Sequence, residues 1–328
     1  MKSALLLMVL LTLGLARDGE EERVQARARV DVQRFYDGEL DLLWEEFDEK
    51  LRVSLGSLEN FGRFHQQAVD QLGNETRILR ESLTAVGGGW SYVRVATFEK
   101  LPERKFEVIL GYDAQEKTTG FLIRPVPTEA PTKYLDYVTR TELRLPFEGE
   151  GTGVWGGRTL EVNYHTAYPD QRFAYDILAT KDGATHTGEG KQNTDYFCFG
   201  RPILAPAAGK VVVAVDGVED NVPGEMNPRQ AAGNHVILDH GNGEYSLLAH
   251  FQKGSLAVEA GGQVVPGQRL GLCGNSGNST EPHLHFHLQT TGVFGKGDGL
   301  PAPFVDYLAD GQRVERGEPV KGQHIRRP

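Results

Sequence analysis

Sulfur and surplus positive charge are both scarce in this chain. Its 328 residues hold two cysteines, Cys198 and Cys273, too few for a disulfide-stapled miniature fold or a metal site built from cysteines alone. The pair permits one bridge in an oxidising compartment and equally two free thiols, so the pairing stays open at this level. Lysine and arginine number 35 against 45 aspartates and glutamates, a formal net charge of -10. That balance argues against the broad basic surface which nucleic acid or an anionic membrane selects. The apolar stretch near the N-terminus, Ala4 to Leu15, is too short to span a bilayer comfortably, so no stable membrane insertion is expected. Preceded by Met1-Lys2 and followed by Ala16 and then Arg17-Asp18, it has the layout of a secretory signal over residues 1–16. No cysteine follows it to carry a lipid, so the mature chain is expected to be exported, periplasmic or extracellular.

The remainder has the composition of a soluble globular protein, with 39% hydrophobic and 24% charged residues, and the length suggests two domains. From Val24 to Leu83 the pattern is helical: Val24, Ala28, Val32 and Phe35 recur at three-to-four spacing, then Leu40, Leu43, Trp44 and Phe47 follow the break at Asp37-Gly38. After Gly87-Gly88-Gly89, short runs over Trp90–Phe98, Phe106–Tyr112 and Gly120–Pro125 read as antiparallel strands. Helices followed by a sheet predict an α+β accessory domain over residues 17–126. Its order and size resemble the cone-shaped domains of the nuclear-transport-factor-two-like superfamily, which implies a binding or spacing module. Prolines 125, 127 and 131 mark a linker, placed at 127–145. From residue 146 to 328, short apolar runs punctuated by glycine predict an all-β antiparallel domain, with Asn242-Gly243 forming the turn of a hairpin.

Eight of the ten histidines fall between His165 and His287, so histidine chemistry belongs to the β domain. In Pro282-His283-Leu284-His285-Phe286-His287, strand alternation puts three imidazoles on one face and Leu284 and Phe286 on the other. Imidazoles two residues apart on a rigid strand suit metal binding by one and work on the reacting group by a neighbour. This segment resembles the His-x-His strand of the lysostaphin-type zinc endopeptidases, a family that cleaves bacterial cell-wall peptides. Gly233 to Gly243 with Ser246 to His250 resembles that family's central hairpin and catalytic histidine. Gly200 to Ala205 followed by Gly209 to Val212 resembles the preceding strand pair, and Gly267 to Gly277 the glycine-rich approach to the His-x-His strand.

The resemblance implies a zinc metalloendopeptidase acting on peptidoglycan peptides, with one zinc ion per chain. Carried over by position, His285 is a zinc ligand, while His250 and His283 are unligated histidines that handle protons and stabilise the oxyanion. The family's compact His-x-x-x-Asp motif does not occur ahead of Gly200, leaving two candidate pairs: His165 with Asp176, the favoured one, or His186 with Asp195. Arg172 to Leu178 reads as a strand able to hold Asp176 rigidly, whereas His186 lies in a glycine-rich loop. Two histidines and a carboxylate leave a fourth zinc position for water, whose pKa falls toward roughly 7. His287 stands where many relatives carry glutamate; an outward-facing surface position is preferred over a partner of the site. His235 and His240 are read as structural, and Asn278 and Glu281 equally as residues of the cleft mouth or as solvated loop positions. Two other readings remain: a non-catalytic cell-wall-binding regulator, and a secreted protease with a protein substrate.

Overall fold

The computed structural model describes the backbone of residues 2–86 and 88–328, with side chains for 19–86 and 88–328. The expected signal segment, 1–16, lies outside the residues described with side chains. Among the described residues no helix is long and apolar enough to cross a membrane. The chain divides into two compact units, Met1–Val126 and Pro127–Pro328.

Unit 1 opens with four helices, α1 (Lys2–Asp37), α2 (Leu40–Glu46), α3 (Glu49–Leu55) and α4 (Leu58–Leu72). Side chains cap two of them: Asp48 accepts from Leu51 N at the start of α3, and Ser57 accepts from Asn60 N at the start of α4. Four antiparallel strands follow in sequential order, β1 (Glu75–Val86), β2 (Gly89–Phe98), β3 (Leu101–Tyr112) and β4 (Thr118–Pro125). Val24, Ala28 and Val32 of α1 are fully buried and pack with Tyr92, Ala96, Phe98, Val108 and Leu110 of the sheet. The helical reading of the sequence up to Leu83 is wrong beyond Leu72. Ile78 or Leu79 with Leu83 mimics helical spacing, but Gly73 turns the chain at φ +72° and Glu75–Val86 pairs along β2 with two bulges.

Unit 2 is built on strands, with no α-helix. They are β5 (Glu150–Trp155), β6 (Tyr175–Leu178), β7 (Pro202–Leu204), β8 (Gly209–Val215), β9 (Asn234–Asp239), β10 (Tyr245–Phe251), β11 (Gln263–Val264) and β12 (Arg269–Leu272). Then come β13 (Leu284–Gln289), β14 (Gly299–Leu300), β15 (Phe304–Ala309), β16 (Gln312–Gly317) and β17 (His324–Arg326). One antiparallel sheet runs in the order β11-β8-β9-β10-β13-β6-β5-β17-β15-β16, with β14 on β13, and β12 pairs with β7 separately. The β9–β10 hairpin turns through Gly241, Asn242 and Gly243, all at positive φ. On one face of the central strands Leu284, Phe286 and Leu288 pack with Tyr175, Val236, Leu248 and Phe304. Removing such side chains from water is the main stabilising contribution, about 2 kcal/mol for each large one.

The segment expected as a linker, 127–145, has no helix and no regular strand, yet it lies on unit 2. Leu143 and Leu145 are buried in its core, Val305 N donates to Leu143 O, and Ala130 N donates to Thr166 O. Glu244, fully buried beside the hairpin turn, holds this strap. Its carboxylate accepts from Arg140 N at 2.7 Å, Thr141 N at 2.8 Å, the Thr141 hydroxyl and the Tyr137 hydroxyl at 2.9 Å. Cys198 and Cys273 are disulfide-bonded, closing a loop with a sequence separation of 75. Burial raises the Glu244 carboxyl pKa, but these hydrogen bonds outweigh it and hold the group below its ordinary value. Its stabilisation is therefore present above the unfolded pKa and lost as pH falls through the folded one. Glu244→Ala should cost about 3 kcal/mol in urea unfolding at neutral pH. The deficit relative to the unsubstituted protein should shrink in acid, below about pH 4.

Candidate metal centre

Antiparallel register brings the central residues together. His285 on β13 lies directly opposite Asp176 on β6 and, on its other flank, Ala249 on β10. Directly opposed residues in such a pair share a face, so Asp176 and His285 point the same way, while Tyr175 and Phe286 point into the core. Asp176 Oδ1 is 2.8 Å from His285 Nδ1, and its Oδ2 is 3.5 Å from His165 Nε2. His165 comes from a 3-10 turn, Tyr164–Ala167, capped by Asn163. One ligand atom from each of His165, Asp176 and His285 lies within 4.8 Å of the others, and all three residues are buried.

Hydrogen bonds determine which nitrogens are bare. Asn163 donates through Nδ2 to Gly157 O and Ala174 O, so its Oδ1 accepts, and His165 Nδ1, 2.9 Å away, carries the proton. That leaves the His165 Nε2 electron pair buried, with no hydrogen-bond partner. His250 Nδ1 donates to the backbone oxygen of Ser276 at 2.7 Å, and His283 Nδ1 to that of Glu281 at 2.9 Å. Since a carbonyl only accepts, both of these rings are left with a bare Nε2 when neutral. Their centroids are 4.7 Å apart, and the His250 and His285 rings are 5.8 Å apart. His283 Nε2 is 3.6 Å from Asp176 Oδ1.

The electrostatics follow from crowding out of water. Burial, helped by neighbouring imidazoles, lowers the His250 pKa well below its ordinary value. Burial lowers His165 to about 3, against the pull of Asp176. Burial also opposes ionisation of Asp176, but the neighbouring His165 and His283 outweigh it and hold its carboxyl well below the usual range. For His283 burial acts downward, yet the Asp176 carboxylate prevails and the pKa is raised. The arrangement sets a carboxylate that stays ionised beside the His165 and His250 imidazoles, which burial keeps neutral.

Two clefts border this cluster, one reaching Asp176 and His283 and the other His250 and His285. A cavity of about 330 Å³ is lined by Trp155, Tyr164, Met226, Asn278, Glu281 and His283, and a smaller one of about 60 Å³ by Gln171, Ala231, His250 and Phe294. Asn278 and Glu281 are therefore cleft residues. His186 and Asp195 are elsewhere: His186 is bridged to Tyr196, and Asp195 Oδ2 accepts from Gln192 N at 3.0 Å. His235 and His240 bond backbone oxygens of Gly233 and Ala208. His287 corrects an expectation, because it is fully buried rather than outward-facing. Alternation shows which side chains share a face and nothing about what covers that face. Sequence reasoning missed Asn163, Ser276 and Tyr164, whose hydroxyl is 3.4 Å from Asp176 Oδ2; their only signal is proximity in the fold.

Residues 189–295 match the model of peptidase family M23. The matched stretch contains His250, His283 and His285 and begins after His165 and Asp176, which come from the preceding turn and β6. Peptidoglycan DD-endopeptidase ShyA of Vibrio cholerae is 36% identical over 114 residues, 34% of this chain and 22% of that protein. An uncharacterized metalloprotease of Haemophilus influenzae is 36% identical over 141 residues, 42% of this chain and 27% of that one. The chain thus spans about a quarter of the length of these curated relatives. The catalytic domain of the antimicrobial peptidase lysostaphin from Staphylococcus simulans is 24% identical, with a TM-score of 0.28, covering 46% of this chain and 86% of that domain.

His250 adopts φ +66°, a left-handed conformation that costs a residue bearing a Cβ roughly 1 kcal/mol relative to glycine. His250→Gly should therefore be more stable to urea than His250→Ala by about 1 kcal/mol, reversing their usual order inside a strand.

Proposed function

We propose that the chain is an exported zinc metalloendopeptidase that hydrolyses peptide bonds of bacterial peptidoglycan. The observation that carries this reading is the buried meeting of an ionised carboxylate with the unpartnered His165 Nε2 and with His285 Nδ1. Leaving a buried nitrogen unpaired costs about 1–3 kcal/mol, a cost that a bound cation removes. Two imidazoles and one carboxylate are a donor set suited to zinc. His165, Asp176 and His285 would hold one ion per chain. Bound there, zinc supplies a Lewis acid for the scissile carbonyl and lowers the pKa of an attacking water.

The remaining chemistry falls to His250 and His283. In its neutral form each carries its proton on Nδ1, held by a backbone carbonyl, and offers a bare Nε2. Such a nitrogen takes the proton of the attacking water, becomes an N–H donor to the oxyanion, and returns the proton to the leaving amine. The two clefts that border the cluster give an extended peptide room to lie along it. Relatives named as peptidoglycan DD-endopeptidases support the substrate class. The region from residue 146 onward is the catalytic domain, the segment 1–16 directs export, and 17–126 is an accessory module of nuclear-transport-factor-two-like shape. Its helices followed by a four-stranded sheet support that last assignment.

Incubation of the mature protein with purified peptidoglycan, followed by mass analysis of soluble fragments, tests the proposal. New peptide ends should be released, and a zinc chelator, His285→Ala or Asp176→Ala should abolish them. Asp195→Ala should leave release unchanged. A folded, zinc-loaded protein that releases nothing overturns the assigned substrate; one that binds no zinc overturns the catalytic reading in favour of a cell-wall-binding regulator.

A further inference from the structure

Behind His285 runs a row of buried polar groups along the same face of β13. His285 Nε2 lies 2.9 Å from His287 Nδ1, His287 Nε2 lies 2.9 Å from Gln289 Oε1, and Gln289 Nε2 donates to Thr291 O at 2.7 Å. His287 and Gln289 are fully buried. The row ends on a backbone carbonyl, and that end determines every proton in it. A carbonyl accepts, so the Gln289 amide nitrogen faces Thr291 and its oxygen faces His287. His287 must then carry a proton on Nε2 and present a bare Nδ1. His285 must in turn donate from Nε2, so the neutral tautomer compatible with this row has its electron pair on Nδ1. That atom is the one 2.8 Å from the Asp176 carboxylate. An electron pair and a carboxylate oxygen repel at this separation unless a cation joins them.

We propose that His287 and Gln289 are positioning residues that lock His285 in the tautomer and ring orientation that bind the metal through Nδ1. This inference rests on the proposed metal site and adds to it the device that prepares one ligand. Imidazole ligands to metals are commonly held through their second nitrogen by an acceptor, and losing that acceptor typically weakens metal binding about 10- to 100-fold. Here the acceptor is itself an imidazole, whose tautomer a glutamine fixes from the next position along the strand face. The row also explains how two imidazoles and an amide can be buried together with every one of these contacts satisfied.

Zinc affinity, measured by competition with a chromophoric chelator on the full mature chain, tests this without recourse to activity. His287→Leu, which fills the space and accepts nothing, should bind zinc roughly 10- to 100-fold more weakly. His287→Asn, whose Oδ1 replaces the Nδ1 acceptor, should restore most of the loss, and a role in packing alone predicts no such rescue. Gln289→Met leaves both histidines in place and should weaken zinc several-fold, giving a second reading should His287→Leu fail to fold. Cobalt substituted for zinc should show an altered visible spectrum in His287→Leu and a restored one in His287→Asn. Folded His287→Leu and Gln289→Met proteins that bind zinc as tightly as the unsubstituted chain overturn the positioning role while leaving the metal site intact. Failure of the unsubstituted chain to bind zinc overturns the metal site itself.

Discussion

The pairing of β6 with β13 sets His285 opposite Asp176, and everything else at the centre is arranged around that pair. A slip of one residue in this register would turn Asp176 into the core and expose Tyr175 to the cleft, exchanging a buried aromatic ring for a buried charge. The apolar side prevents it. Tyr175 stacks on Phe286 with centroids 6.3 Å apart and packs on Phe304, so the hydrophobic face sets the register and the polar face inherits it. Position at the cluster is thus determined by groups that take no part in its chemistry.

The cleft walls depend on a second set of constraints, in which side-chain amides and hydroxyls take over from regular pairing. Asn234 donates to Val218 O and Phe251 O and accepts from Val218 N, while Ser276 Oγ accepts from Asn234 N and donates to Phe251 O. Ser276 O then fixes His250. The left-handed backbone of His250 sits where the β9–β10 ladder shifts register between Ala249 and Phe251. Local strain of this kind persists where surrounding bonds over-determine it, and here it aims an imidazole that regular strand geometry would direct elsewhere.

Legibility in the sequence divided along sequence separation. The alternation of His283, His285 and His287 against Leu284 and Phe286 is a local property of one strand, and the structure has Leu284 and Phe286 in the core and the histidines on the opposite side. The Asn242-Gly243 turn and the buried stripe of α1 are equally local. Asp176 was a harder case, 109 residues from His285, and two aspartates remained open because spacing alone cannot specify strand pairing. What separates them is physical: Asp176 lies on a strand buried on both sides, while Asp195 caps a short turn through its bond to Gln192 N. The strap of 127–145 looked like a linker because prolines exclude regular structure, yet irregular backbone can still be docked when an external carboxylate, Glu244, satisfies its amides. The burial of His287 is not legible in the sequence, because burial of a polar face depends on what covers it, which is a tertiary fact.

Burying so many imidazoles in one place has a physical consistency of its own. Each ring nitrogen kept from water must find a partner or destabilise the fold, and the interior supplies partners selectively. Backbone oxygens take the Nδ1 protons of His250 and His283, Asn163 takes that of His165, and His287 faces His285 from behind. The nitrogen of His165 that receives no partner is the one turned toward Asp176. A fold optimised for stability alone would have filled that position with a donor or an apolar side chain. Leaving an electron pair unsatisfied beside a charge, while satisfying the others around it, concentrates the cost of burial at one point, and that point is where a cation is most strongly favoured.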